Sequence, residues 1–473
     1  MSKQPSLFYS ILPVIFLVGA LFINIQIFGD SSLDGSNQLI LLCAAGFTAL
    51  LGRLKGIKTG KLWNGVQNTV QDSTKAIIIL LMVGALTGSW MVSGIIPTLI
   101  IYGLKILSPS IFLPATVIVC SLISLATGSS WGTTATIGVA LMGVGQSLGF
   151  SPAWVAGAVI SGAYFGDKMS PMSDTTNLAS AMAGAELTKH IKYLLFTSGP
   201  SIIITLIIFT LIGFGFDSEV ELSDINNLSN ELSNRFYISS WLLLIPLLSI
   251  CLISVKMDPV AAMGIGSLMG AFAAFFFQAD IINEIGGSSD FTGSYKGILQ
   301  SLYGSVNIEM KNPLLDSLIQ TKGMKGMLGT IWLVVCALTF GGVLEASNFL
   351  KTITEAFLAF GNSAASLIAS VLITCGFINI TAADQYLAIV VPGRMYKTAF
   401  KKRNLAPENL SRALEDSGTV TSVLIPWNTC GAYQSITLGV ATGDYLFYCF
   451  FNWLSPIINL TWTLLNFRIK KGH

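Results

Sequence analysis

Apolar stretches of about 18 or more residues recur along this chain, and no other feature limits its folding so strongly. A backbone in lipid must satisfy its own hydrogen bonds, which leaves helices or closed barrels. The alternating patterns of about ten residues that mark barrel strands are absent. Only 11% of residues are charged and 52% are hydrophobic, where a soluble domain carries roughly a quarter charged. The reading is an all-α polytopic membrane protein. Spans are expected at 7–28, 38–53, 74–93, 110–127, 133–149, 151–167, 191–216, 238–256, 258–277, 327–348, 363–378, 381–397 and 442–466. Residues 7–28 exceed the apolar core of a signal peptide and lack a small-x-small cleavage site, so they read as the first span.

Charge placement suggests the topology. Lysine and arginine cluster at 53–75, at 397–412 and in the terminal RIKKGH. Short basic loops stay in the cytoplasm, so these segments and both termini are expected inside. The acidic stretch 217–235 and the mixed-charge loop at 278–326 are expected outside. Seven cysteines are scattered, most of them in apolar runs without metal-ligand spacing, and read as small buried hydrophobes. Two histidines, His190 and His473, are too few for a histidine relay or a His/Cys metal centre.

The chain also repeats itself. VGALTGSWMVSG (83–94) resembles VCALTFGGVLEA (335–346). LATGSSWGTTAT (125–136) sits at nearly the same offset from TCGFINITAADQ (374–385), each with a glycine before a polar cluster holding Thr133 or Thr381. GDKMSPMSDTT (166–176) matches EDSGTVTS and the following PWNT more loosely, with Asp167 near Asp416 and the later polar run near Asn428. The first unit starts beside a basic loop and the second on the opposite side, so the repeats are expected to have inverted topology. The expected organisation is 1–73, N-terminal helices and a basic loop; 74–216, the first repeat; 217–325, an external loop, two linking helices and a polar loop; and 326–473, the second repeat. Inverted repeats with broken helices and re-entrant hairpins are the build of secondary transporters.

Polar breaks interrupt both units, at TGSSWGTT (127–134), GDKMSPMSDTTN (166–177), GFINITAAD (376–384) and 414–431. Irregular chain at membrane depth must be buried or line a wet cavity. Ser129, Ser130, Thr133, Thr134, Thr176 and Asn177 offer hard neutral oxygens, which suit Na⁺ better than a transition metal. Asp167 and Asp174 are the main candidates, since an ionisable group within a membrane is a functional candidate by default. The plainer alternatives are an ion pair of Asp167 with Lys168 and a helix cap at Asp174. A carboxyl in such a place can hold either a proton or Na⁺, and competition for it is enough for exchange. Asp384 and Asp416 are the candidates in the second unit. Between the first pair, Asp174 is favoured over Asp167 as the proton carrier.

GAYFGDKMSPMSDTTNLA, with ATGSSWGTTATIG some 40 residues before it and NITAADQYLAIVVPGRM in the second unit, resembles the signature regions of the NhaC-type Na⁺/H⁺ antiporters. The resemblance spans most of the chain. It implies Na⁺ (or Li⁺) efflux driven by proton entry across a bacterial inner membrane, in the service of pH homeostasis. It implies an ion site with Na⁺ at Asp174, Asp167, Asn177 and Thr133, joined by Thr134, Ser129, Thr176, Asp384, Thr381 and Asn428. It also implies no cofactor beyond the transported Na⁺ and H⁺, a lipid bilayer as surroundings, a homodimer and no nucleic-acid partner. The same family includes Na⁺/H⁺-coupled organic-acid antiporters of malate/lactate type. A carboxylate substrate needs a fixed cation, and only Lys168 and Arg394 stand near, so the cation-only reading is favoured. An enzyme is not expected: an intramembrane aspartyl protease would use Gly-x-Gly-Asp, where this chain has Tyr164-Phe165-Gly166-Asp167. A channel would need a continuous pore and would show no proton coupling.

Overall fold

The computed structural model describes residues 5–28, 32, 34–216 and 222–472, and the described residues are overwhelmingly helical. The first half runs α1 (Leu7–Phe28), α2 (Ser36–Leu54), α3 (Thr59–Asp72), α4 (Thr74–Val92), α5 (Ile95–Ile106), α6 (Pro109–Thr127), α7 (Ser130–Thr133), a π-turn at Thr134–Gly138, α8 (Val139–Ser147), α9 (Pro152–Met169), α10 (Asp174–Ala183) and α11 (Leu187–Phe214). A linking region follows with α12 (Leu222–Arg235), α13 (Leu244–Ser254), α14 (Pro259–Phe277), α15 (Ala279–Gly286), α16 (Phe291–Tyr303), α17 (Pro313–Leu318) and α18 (Gly323–Gly326). The last part holds α19 (Leu328–Ala346), α20 (Phe349–Ala359), α21 (Ala364–Thr381), α22 (Gln385–Lys402), α23 (Pro407–Ala413), a second π-turn at Leu414–Thr419, α24 (Thr429–Leu438), α25 (Thr442–Tyr445) and α26 (Phe450–Leu464).

Among the described helices, eight are long and apolar enough to cross a membrane: α1, α2, α4, α6, α11, α14, α18 with α19, and α21. Residues 226–235 and 240–254 would supply a ninth if the two segments, bent by 89°, act together. The chain is therefore a multi-pass membrane protein. The expected spans at 133–149, 151–167, 381–397 and 442–466 are helical too, but each is shorter, broken or more polar than a plain span. The acidic segment expected at 217–235 lies partly outside the described residues. Its remainder is mostly α12.

Helix starts recur with constant spacing. They fall at 109, 130, 152 and 174, and again at 364, 385, 407 and 429, each pair 255 residues apart. Left-handed residues follow the same spacing, with Gly128 matched by Ala383 and Gly184 by Gly439. This register differs from the one that residue identities suggest: Asp167 stands opposite Ser422, not Asp416. What recurs is the place where the chain turns, and several different residues can make that turn.

Small residues bring the site's helices into backbone contact, as is common where lipid offers no hydrophobic drive for association. A Cβ on Gly162 would lie 2.4 Å from Val117 O, and one on Gly166 would lie 2.3 Å from Ser121 O. Ser124 Oγ also donates to Ala163 O at 2.6 Å. So α9 is pressed along α6, and Asp167, next after Gly166, is delivered to the break that follows α6.

Candidate functional site

The four polar breaks meet around one cavity of about 200 Å³. Helix α6 ends at Gly128, which takes φ 67 as a left-handed cap. Ser129 then caps α7, its hydroxyl accepting from Gly132 N. Ser173 caps α10 in the same way, accepting from Thr176 N, so the cap is Ser173 and not Asp174. Asp384 caps α22 by accepting from Leu387 N at 3.0 Å. Asn428 caps α24 by accepting from Cys430 N at 3.0 Å. The first residues of all four helices, Ser130, Asp174, Gln385 and Thr429, line the cavity.

Asp167 is buried in this wall. Its Oδ2 accepts from Ser130 Oγ at 2.7 Å and from Ser130 N at 3.2 Å. The N-terminus of α7 therefore points at it, and the partial positive charge there favours an anion. The hydroxyl of Ser173 faces the same carboxylate from the second break. Asp174 is exposed on the cavity rim. Asp384 is buried, and it also accepts from Ser73 Oγ at 3.3 Å. With Asp72, four carboxylates line the cavity against a single lysine, Lys75. That lysine is bonded to Asp258 at 3.0 Å. Asp258 caps the start of α14, and the hydrogen bond from Lys75 holds its carboxyl below the ordinary value.

The other residues singled out from sequence brace the breaks without lining the cavity. Thr133 and Thr134 donate to Ser129 O and Ser130 O, each at 2.9 Å. Thr176 Oγ1 donates to Lys168 O at 3.1 Å. Asn177 is exposed and staples its own turn, donating to Pro171 O at 3.0 Å and Ser173 O at 2.7 Å. Thr381 donates to Phe377 O at 2.8 Å. Asn428 adds a bond to Asn379 O at 3.1 Å. Ser129 does line the cavity. Sequence reasoning passed over Asp72, Ser73 and Tyr386 in the wall, although the polar run before the apolar part of α4 marks the first two.

Lys168 does not pair with Asp167. It is fully buried and forms an ion pair with Asp416, and it donates to Ser455 Oγ at 2.7 Å. Asp416 also accepts from Asn459 Nδ2 at 2.6 Å, Ser455 Oγ at 2.9 Å and Thr197 Oγ1 at 3.2 Å. The pair ties α9 to the second π-turn, α11 and α26. Arg394 is exposed.

A multi-pass helical protein whose broken helices close on a carboxylate-lined cavity has the construction of a secondary transporter. The comparisons agree. The family described as "Na+/H+ antiporter family" matches residues 162–466. The Na(+)/H(+) antiporter NhaC of Alkalihalophilus pseudofirmus is 38% identical over 413 residues, covering 86% of this chain and 87% of that protein. The Malate-2H(+)/Na(+)-lactate antiporter of Bacillus subtilis is 36% identical over 455 residues, covering 96% and 92%. The arginine/ornithine antiporter ArcD of Halobacterium salinarum is 30% identical over 461 residues, covering 96% and 91%. The chain belongs to the Na⁺/H⁺ antiporter family.

Proposed function

We propose that this protein exchanges Na⁺ for H⁺ across a bacterial inner membrane by letting the two ions compete for Asp167. The observation that carries the reading is the lining of the cavity: four carboxylates, with Lys75 the only lysine and already bonded to Asp258. Such a wall draws in a cation. Na⁺ would be held by Asp167 with oxygens from Ser129, Ser130 and Ser173, while Asp174 and Asp72 gather cations at the rim. Lys168, the fixed cation an organic acid would need, is neutralised by Asp416. The basic segment 53–75 leads into this cavity, so the opening is assigned to the cytoplasm. The repeats are assigned opposite orientations, with both termini inside and a second copy as the natural partner. Li⁺, a smaller ion of the same charge, is expected to compete.

One observation favours a second reading. Four helix N-termini converge here, and N-termini favour anions. Those of α7 and α22 are occupied by Asp167 and Asp384, and α10 carries Asp174 in its first turn, but that of α24 has only the neutral cap Asn428. An organic carboxylate could seat there beside Na⁺, as the malate/lactate relative's name would suggest. Inverted vesicles with an imposed pH gradient separate the two. Na⁺ alone should dissipate the gradient, and Asp167→Asn should abolish the response while the protein still folds. Wild-type exchange by Asp167→Asn would sink the residue assignment. A strict requirement for malate or lactate would replace the cation-only reading with the second one.

A further inference from the structure

Glu415 is fully buried, yet neither of its carboxyl oxygens has a hydrogen-bond partner among the described residues. The Thr419 hydroxyl stands beside it without hydrogen-bond geometry. An unpaired buried carboxyl is unfavourable in either form and far worse when ionised. The residue sits in the π-turn at Leu414–Thr419, and such bulges gather at working sites. The turn is firmly held. Asn379 Nδ2 donates to Gly418 O at 2.8 Å and Ser417 Oγ donates to Leu372 O at 2.7 Å. The charged and titratable groups facing Glu415 are Lys168 and Asp167 from α9, Asp416 on its own turn and Cys375 from α21. Lys168 and Asp416 neutralise each other, so an ionised Glu415 would add a bare negative charge next to a negative Asp167.

From this arrangement we infer that Glu415 is a second proton site, protonated while Asp167 carries its charge and releasing its proton when a cation neutralises Asp167. The inference rests on the exchange reading above. The step is a simple dissociation: the O–H bond of the Glu415 carboxyl breaks, its electron pair stays on the carboxylate, and the proton passes to water. Coupling is electrostatic and reciprocal. Na⁺ at Asp167 removes the repulsion that kept Glu415 neutral, and an ionised Glu415 in turn strengthens Na⁺ binding at Asp167. Where Asp167 is already ionised, competition there supplies no proton, and each Na⁺ bound then displaces one from Glu415.

Two measurements test this on the full chain in lipid nanodiscs. Calorimetric titration with NaCl in buffers of different ionisation enthalpy counts protons released per Na⁺ bound. Glu415→Gln, close in shape to the neutral acid, should release about one proton fewer than wild type while its Na⁺ affinity changes by only a few-fold. An unchanged count overturns the inference and leaves the exchange reading standing. A wild-type protein that binds Na⁺ with no proton release overturns both. Infrared difference spectra, with and without Na⁺, give the second readout and need no variant. Wild type should lose the carbonyl band of a protonated carboxyl with few hydrogen bonds. Absence of any such band at neutral pH refutes a neutral Glu415 even if Glu415→Gln does not fold.

Discussion

Each of the two buried carboxylates Asp167 and Asp416 has a different kind of partner. Asp416 has a permanent cation, Lys168, and three further donors, so its charge is spoken for. Asp167 has a serine hydroxyl, a backbone N–H and open cavity, which leaves room for a transient cation. Removing one side of a buried pair strands the other charge, at about 3–5 kcal/mol. Lys168→Met should therefore lower thermal stability in detergent sharply, and Lys168→Met with Asp416→Leu should recover part of the loss. Equal loss in the single and double variants would mean that packing, not charge, is at stake. Exchange by competition also sets a pH sign. Protons occupy Asp167 as pH falls, so the apparent KM for Na⁺ should rise with acidity, approaching about tenfold per pH unit at the acid end. A KM that stays flat as pH falls through the range in which carboxyls take up protons would contradict competition. At the cavity mouth, Asp258 neutralises Lys75 in an exposed pair worth no more than about 1 kcal/mol. Its depressed carboxyl keeps that contribution above the ordinary aspartate range and loses it only as pH falls below that range. Asp258→Asn should leave stability nearly unchanged but raise the KM for Na⁺ a few-fold at low salt, an effect that added salt should erase.

At the scale of elements, the site depends on how one helix break meets another. A Cβ on Gly128 would lie 2.6 Å from Met172 C and 2.8 Å from Ser173 N, in a backbone conformation that itself disfavours a side chain by about 1–2 kcal/mol. Gly128→Ala should push the two breaks apart and abolish exchange measured as Na⁺-dependent alkalinisation, with retained helical circular dichroism. Normal transport by that variant would show that the breaks need not touch. The sequence made the first of these turns legible, because glycine before serines interrupts an apolar run. It hid the matching turn, which falls on Ala383 at φ 58, a residue that nobody would choose for a left-handed position. Identity matching therefore slid the repeat by several residues and set Asp167 against Asp416. Polar residues near the breaks were legible as a group, but their division into cavity wall and brace was not. Asn177 and Asp174 are three residues apart in one motif, yet one staples a turn and the other lines the cavity. The partnership of Lys168 with Asp416 joins elements far apart in sequence, and nothing local could announce it.

Across the whole molecule, three elements run from one cavity to another. Lys75, Ala76 and Ile79, in the first turns of α4, line the first cavity, while Val83, Thr87 and Met91 further along line a second of about 560 Å³. Ser130 and Trp131 of α7 face the first, and Val139, Met142, Gly143 and Gln146 of α8 face the second. Thr429 opens α24 at the first, and Ser435 to Leu438 close it at the second. Between them Trp131 stacks on Tyr433, ring centres 4.0 Å apart and 12° from parallel, and Tyr433 Oη donates to Trp131 O at 2.7 Å. An exchanger must never connect its two sides at once, and on the proposed exchange this stack is the expected plug. On the proposed orientation the first cavity faces the cytoplasm and the second, beside the polar loop at Leu318–Lys322, faces outside. Replacing the indole with a methyl group removes the stacked face and leaves the tyrosine hydroxyl its carbonyl partner. Trp131→Ala should then pass Na⁺ down its gradient without counter-movement of protons, seen as ²²Na⁺ uptake that persists when the proton gradient is collapsed. Uptake in this variant that still vanishes with the gradient would place the barrier elsewhere along α8 and α24.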